Sequence, residues 1–348
     1  MADVLIIGGG MPGLLAAKVL RDRGLDVTLL DAAAALPPAS WAGGGILSPL
    51  FPWRYPDSVT ALALPALATY RALAEEVVAA GGIDPQVSCP GMRVLDEPDP
   101  EAALAWCARH GVTVEQQDGS LWLPEVGSVR NPRMLKGLRK LNAVLGVRQI
   151  AAHVSAIEPI AGGYAVHTQE KVFRAPQVVV SAGFWTRALL APLGVDVDVS
   201  PVKGQMLLFC SSEPVPNEIR LAPDGYLIPR DHHTLVAGST SEPGVSDQRP
   251  QQAAYQHLAR VAARLWAPLA TMPPAAQWAG IRPGTARSAP LISEAPGLPG
   301  LFVCTGHYRN GLVCAPVSAA LLADLVTGTT PCVPAGPYSF SLSSSSPP

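Results

Sequence analysis

The sequence predicts an α/β fold: a parallel sheet built from both ends of the chain, with an inserted α+β unit that rests on an antiparallel sheet. Three observations predict it. The chain opens with a branched apolar run, Asp3 to Ile7 (DVLII), that ends in glycine, the pattern of a strand buried on both faces and closed by a tight turn. Near the other end, Leu301 to Cys304 (LFVC) is a second such run, followed by a polar turn and by apolar residues at helical spacing from Leu312 to Val326. Between them, Val199 to Ser241 alternates strand-like runs with Pro and Gly turns, the texture of an antiparallel sheet.

Taken in order, LLAAKVLRDRG after the opening strand reads as a helix stopped by Gly24, and Asp26 to Leu30 (DVTLL) as the next strand, closed by Asp31. Val59 to Ala80 reads as one long amphipathic helix, Gly91 to Leu95 as a strand and Pro100 to His110 as a helix. Gln177 to Trp185 (QVVVSAGFW) is another buried-strand run, Gln251 to Leu265 a helix, and Ala276 to Arg282 a return toward the first sheet. The last helix is expected to begin near Gly311, and the terminal SLSSSSPP is expected to be disordered. Residues 1–80, 135–200 and 285–335 are therefore assigned to a discontinuous Rossmann-like unit. Residues 81–134 and 201–284 form the inserted unit, and 336–348 a flexible tail.

Composition narrows the function. The 348 residues carry 25 Lys plus Arg against 27 Asp plus Glu, a net charge of -2, so no overall positive excess is present to grip a nucleic-acid backbone. No apolar run reaches the roughly 18 residues needed to span a bilayer. Asp3 and a strand stand where a secretory signal would need a basic start and an apolar segment, so the expected location is cytoplasmic. The six cysteines, at 89, 107, 210, 304, 314 and 332, form no C-x-x-C pair and have no closely spaced His; no metal site is expected, and the thiols read as reduced and buried.

Gly8, Gly10 and Gly13 form a G-x-G-x-x-G between the first strand and its helix, and Asp31 ends the second strand 23 residues after Gly8. Gly8 permits the tight turn, Gly10 lets the backbone approach a diphosphate, and Gly13 lets helix and strand pack closely. The positive end of the helix then faces the diphosphate, and the acid reaches ribose hydroxyls. An acid at that position serves NAD or FAD equally. Three later segments favour a flavin. SWAGGGIL (Ser40 to Leu47) lets main chain lie flat against a planar ring, QVVVSAGFW supplies a late strand of the same sheet, and the C-terminal strand-turn-helix aims its positive end where a reduced flavin gathers negative charge.

GGGMPGLLAA, SWAGGGILSPLFPWRYPDSVTALA, PVKGQM, WAGIRPGT and GHYRNGLVCAP together resemble the glycine oxidases, within the larger D-amino-acid oxidase and sarcosine oxidase family, over residues 3 to about 330. The resemblance implies an FAD enzyme that oxidises glycine, sarcosine and small D-amino acids by hydride transfer to flavin N5, with dioxygen as acceptor, and that supplies imino acid for thiamine formation. It implies noncovalent FAD contacted by Gly8, Gly10, Met11, Pro12, Gly13, Asp31, Ala32, Ala39, Ser40, Gly44, Gly45, Ile46, Val154, His307, Arg309, Asn310, Gly311, Leu312 and Val313. The substrate carboxylate falls to Arg282, with Arg309 close by and Tyr226 adding a hydroxyl. Three departures stand out: the stretch before Asn131 is shorter than the family's, Asp31 replaces a common Glu, and neither Cys304 nor Cys314 occupies the position that tethers flavin in the covalent subgroup.

The residues themselves carry a parallel argument. An amino acid is small, so its carboxylate must supply most of its recognition, and a planar guanidinium can hold that group with two parallel charge-assisted bonds. Arg282 lies in a low-charge, Gly-rich stretch where an unpaired cation is costly; pairing with a structural acid is the alternative. Arg309 equally suits flavin or a carbonyl cap, Tyr226 equally suits the core, and His307 invites a general-base role that hydride transfer does not need. Two other readings keep the flavin: a dehydrogenase that passes electrons to a quinone or partner subunit, and a flavin-binding subunit without turnover. A homo-oligomer is compatible with all three.

Overall fold

The structure is a computed structural model, and it describes residues 2–32, 38–287 and 289–340. The expected disorder of SLSSSSPP therefore lies outside the described residues. A six-stranded sheet runs in the order Leu291–Glu294, Leu301–Thr305, Gln177–Val180, Val4–Ile7, Val27–Asp31, Arg148–Ala151, all parallel except the first strand. Val4, Leu5, Ile6 and Ile7 are all buried, because one face of the sheet packs on Met11–Asp22 and the C-terminal helix Ala315–Thr327 and the other on the Val154–Ala175 region. That region is a small antiparallel sheet of Val154–Ile160, Gly163–Thr168 and Val172–Ala175, an element the sequence reading did not anticipate.

The second large sheet is mostly antiparallel. Ser200–Cys210 is its long central strand, paired along one side with Thr234–Gly238 and then Glu242–Pro243, and along the other with Ala276–Gly284. Gly225–Pro229 and Ile219–Ala222 continue it, and Met92–Val94, Ser120–Leu123 and Glu115–Gln117 complete it. Gln252–Leu265 covers its back, packing Leu258, Val261 and Ala262 on Leu207, Phe209 and Leu227. Its front face carries Met206, Tyr226 and Ile228 beside Ile46 and Phe51, and so looks back toward the first unit.

Several expected elements change. The helix expected over 59–80 is two helices, Asp57–Ala63 and Ala66–Gly81, because Pro65 cannot continue a helix from the residues before it. The strand expected over 177–185 stops at Val180 and becomes a 3-10 turn over Gly183–Trp185. The final helix begins at Ala315, not near Gly311; a 3-10 turn over Tyr308–Asn310 and further turns over 311–314 precede it. The boundary expected at 134/135 falls inside the helix Asn131–Val144, whose Pro132 sits in its first turn. Within residues 336–340, assigned to a flexible tail, Tyr338 is anchored: it is 1% exposed and its hydroxyl donates to the Ser58 carbonyl at 2.7 Å. Of the cysteines, Cys107, Cys304 and Cys314 are buried, but Cys89, Cys210 and Cys332 are exposed, near strand or helix ends and in loops.

Candidate active site

The glycine turn closes as its spacing requires. Gly8 sits at φ +108, and a Cβ there would lie 2.4 Å from the Ser181 carbonyl; a Cβ on Gly13 would lie 1.9 Å from the Gly8 carbonyl. Gly10 differs. Its nearest neighbours to an added Cβ are Ser40 Oγ at 3.4 Å and Pro12 at 4.0 Å, so its missing side chain opens a cradle over the helix N-terminus rather than relieving a clash. The Met11 amide at that N-terminus donates to Ser40 Oγ at 2.9 Å. Asp31 ends its strand as expected, but one carboxylate oxygen is taken by Arg139 at 2.6 Å, whose guanidinium also reaches the Gly9 carbonyl at 3.2 Å. These features fit an adenine dinucleotide: an open cradle at a helix N-terminus for the diphosphate, and an acid whose second oxygen remains for a ribose. Val154 begins the small antiparallel sheet at 8% exposure, and Ala32 follows Asp31 directly.

The loop expected to lie against a planar ring is clamped by its carbonyls. Asn131 Nδ2 donates to the carbonyls of Ser40 at 2.8 Å and Gly43 at 3.1 Å, Trp278 Nε1 to Ala42 at 3.0 Å, and the Val129 amide to Gly45 at 2.9 Å. Arg230 donates to the carbonyls of Gly44 and, at 3.2 Å, Val129. Burial lowers the Arg230 pKa to about 10, with Arg130 adding repulsion, which still leaves it charged at neutral pH. Gly45 lies at φ +83, and a Cβ there would meet the Val129 carbonyl at 2.1 Å. Asn131, Arg139, Arg230 and Trp278 were not among the expected site residues. Trp278 stands in the quoted motif WAGIRPGT and Arg230 four residues after Tyr226, but nothing local marks a side chain as the clamp of a loop far off in the sequence.

Across from this loop, Arg282 lies on the front of the antiparallel sheet. Its partners are not acids: Nη2 donates to Ser239 Oγ at 2.8 Å and Nη1 to the Thr240 carbonyl at 3.0 Å. The guanidinium rests directly on Gly204, where an added Cβ would lie 2.2 Å from both Nη atoms. Burial pushes the Arg282 pKa down; Arg309 repels it further, while Tyr226, Tyr308 and Glu242 act the other way. The Tyr226 ring is 7% exposed, its hydroxyl 3.5 Å from Met206 Sδ and against Gly44, where an added Cβ would lie 3.2 Å from that oxygen. Tyr226 thus belongs to the core of this face and also meets the glycine loop.

The Tyr308–Asn310 turn completes the group. Tyr308, at φ +51, places its hydroxyl 3.0 Å from Ser241 Oγ, and Arg309 is exposed with its guanidinium 5.2 Å from the Tyr308 ring centre. Burial alone would raise the Tyr308 phenol, but Ser241 and the guanidiniums of Arg309 and Arg282 outweigh it and hold it below the usual value. Tyr308 lies inside the stretch 307–313 expected to contact flavin, but was not named for the substrate side of the site. His307 turns away: it is 5% exposed, its Nε2 lies 3.0 Å from Ser318 Oγ in the final helix, and burial lowers its pKa to about 4. Asn310 and Val313 are buried beside it, with Gly311 and Leu312 between them partly so. Burial also holds the Cys304 and Cys314 thiols protonated, the former pushed up to about 12.

A family model described as FAD dependent oxidoreductase matches residues 3–325. The glycine oxidases of Pseudomonas aeruginosa and Pseudomonas putida are each 38% identical to this chain, covering 96% and 97% of it and 97% of each relative. The crystal structure of glycine oxidase from Geobacillus kaustophilus superimposes with a TM-score of 0.93 at 28% identity, over 98% of both chains. Among the described residues no helix is long and apolar enough to cross a membrane.

Proposed function

This chain belongs to the FAD dependent oxidoreductase family, and from that premise we propose that its own residues bind the substrate as follows. It is an FAD-dependent amino-acid oxidase that oxidatively deaminates glycine-type substrates. Arg282 takes the carboxylate, Tyr226 offers a hydroxyl to the same end of the molecule, and Arg309 adds positive charge at the rim. The observation that carries this is the Arg282 guanidinium, seated on Gly204 and held, among the described residues, by a hydroxyl and a carbonyl. Two of its five N–H groups are used, which leaves donors enough for a two-pronged carboxylate contact.

For glycine the balance is glycine plus water plus dioxygen to glyoxylate, ammonia and hydrogen peroxide. When bound, FAD would supply the two-electron chemistry that takes the α-hydrogen with its electron pair and returns the electrons to dioxygen. The Gly8–Gly13 turn, Ser40 and Asp31 are the residues that would hold its dinucleotide, and 44–46 those that would meet its ring. Because the hydrogen leaves with its electrons, no side chain has to remove a proton from carbon. His307 fits that account, with its ring committed to Ser318 and sealed from the site. The amine must be neutral to react, and the pair of guanidiniums at Arg282 and Arg309 favours loss of the ammonium proton once the carboxylate is seated. Placing the α-carbon against the ring then depends on the carboxylate anchor, since so small a substrate has little else to hold.

The reading includes sarcosine and small D-amino acids as further substrates and noncovalent flavin. Purified protein is expected to be yellow, to bleach with glycine in the absence of oxygen, and to release peroxide on admission of air. Colour restored faster by a dye than by air would make it a dehydrogenase, and colour that no amine bleaches would end the reading.

A further inference from the structure

We propose that Glu242 is a positioning residue for substrate binding: through the Thr240 hydroxyl, its carboxylate fixes the backbone carbonyl that holds the Arg282 guanidinium. The inference rests on the reading of Arg282 as the carboxylate anchor. The segment from Ser239 to Glu242 is extended at its end, Glu242–Pro243 pairing with Val202–Lys203 of the central strand, and successive side chains in such backbone alternate between faces. Ser239 and Ser241 meet Arg282 and Tyr308 on the site side. Thr240 and Glu242 instead join Gln205: Thr240 Oγ1 donates to Glu242 Oε1 at 2.6 Å, and Gln205 Nε2 donates to the same oxygen at 2.8 Å.

The direction of these bonds is forced. The Gln205 amide donates to Thr240 Oγ1 at 3.0 Å, so the hydroxyl hydrogen must go onward, and Glu242 receives it. The Gln205 side chain cannot flip, because its Oε1 already accepts from the Gln251 amide at 2.8 Å and from Gln277 Nε2 at 3.2 Å. Lys203, directly opposite Glu242 in the ladder, is fully buried and spends its ammonium on the Arg249 carbonyl at 2.6 Å. The Glu242 Oε1 therefore accepts its hydrogen bonds from Thr240 and Gln205. Thr240 is held at its hydroxyl from two sides, and its carbonyl is one of the two acceptors that orient Arg282 among the described residues.

The test uses the FAD-loaded protein and acetate, a carboxylate that carries no amine to oxidise, titrated by the change it causes in the flavin absorbance. Glu242→Ala and Thr240→Val are expected to raise the acetate Kd and the glycine KM together about fivefold or more, while kcat at saturating glycine moves less than about twofold. Glu242→Gln keeps an oxygen that can accept both bonds and is expected to restore Kd and KM to within about twofold of the parent. Acetate affinity unchanged in both Glu242→Ala and Thr240→Val overturns the proposal, as does a Glu242→Gln variant as weak as Glu242→Ala. Thr240→Val is nearly isosteric and serves if Glu242→Ala fails to fold. Arg282→Met in the same series separates the two readings: loss of acetate binding there with none in the other variants removes only the relay, whereas no loss there removes the anchor itself.

Discussion

Replacing Arg282 with Met removes the guanidinium and keeps most of the side chain's apolar length. In the structure that group spends one N–H on Ser239 Oγ and one on the Thr240 carbonyl, so a bound carboxylate would meet two of the three that remain. Each hydrogen bond to a charged group is worth about 1.5–3 kcal/mol, and losing two costs about 3–6 kcal/mol, or roughly a 100-fold to 10,000-fold fall in kcat/KM. The effect is expected chiefly in KM, since the anchor is lost before any chemistry begins. Flavin should stay bound, because the turn at Gly8–Gly13 and the clamped loop at Ser40–Ile46 lie on other elements. Arg282→Lys keeps the charge but not the planar fork, so about a tenfold loss is expected. Peroxide release in a coupled assay gives KM and kcat, and acetate titration of the flavin spectrum gives affinity apart from turnover. A Met variant with KM within about threefold of the parent refutes the reasoning, and so does one that loses its flavin while the loaded fraction binds acetate normally.

Three further outcomes follow from the same geometry. Gly204→Ala places a methyl 2.2 Å from both Nη atoms of Arg282, so the guanidinium must move; KM and the acetate Kd are expected to rise about tenfold, with thermal stability as the control for misfolding. Gly10→Val fills the cradle beside Ser40 Oγ and is expected to give folded, colourless protein whose far-ultraviolet circular dichroism matches the parent. His307 has its pKa lowered by burial from 6.5 to about 4, so between those values the unfolded chain binds more protons than the folded one. Stability should therefore rise with pH across that window and fall by up to about 3 kcal/mol as pH drops through it. His307→Gln, with no proton to gain, should flatten that slope in urea midpoints measured from pH 4 to 7.

Much of the fold was legible because it depends on local pattern. The run DVLII, the three glycines after it and Asp31 specify a strand, a turn and a second strand whose side chains meet within thirty residues, and Pro100 to His110 forms the helix its spacing predicts, capped by Asp99 on the Ala102 amide at 3.0 Å. Pro65 was equally local, yet its break was masked by apolar residues that kept helical spacing on both sides. The small sheet over 154–175 was harder, since a strand such as Val154–Ile160 buries only two of its seven residues and shows no clean alternation.

The sequence by itself determined the glycine turn, four strands of the first sheet, Val4–Ile7, Val27–Asp31, Gln177–Val180 and Leu301–Thr305, and the presence of an arginine in a stretch without acids to neutralise it. Tertiary structure alone decided that Arg282 rests on Gly204 with Thr240 and Ser239 as its holders, and that Asn131, Arg230 and Trp278 clamp the carbonyls of a loop 88 or more residues earlier in the case of Asn131 and Gly43. The reason is the range of the information. Periodicity and turn chemistry report how a segment sits relative to its own neighbours, whereas a hydrogen bond between distant segments exists only once the register of two strands, here Val202 opposite Arg282 and Lys203 opposite Glu242, has brought them side by side.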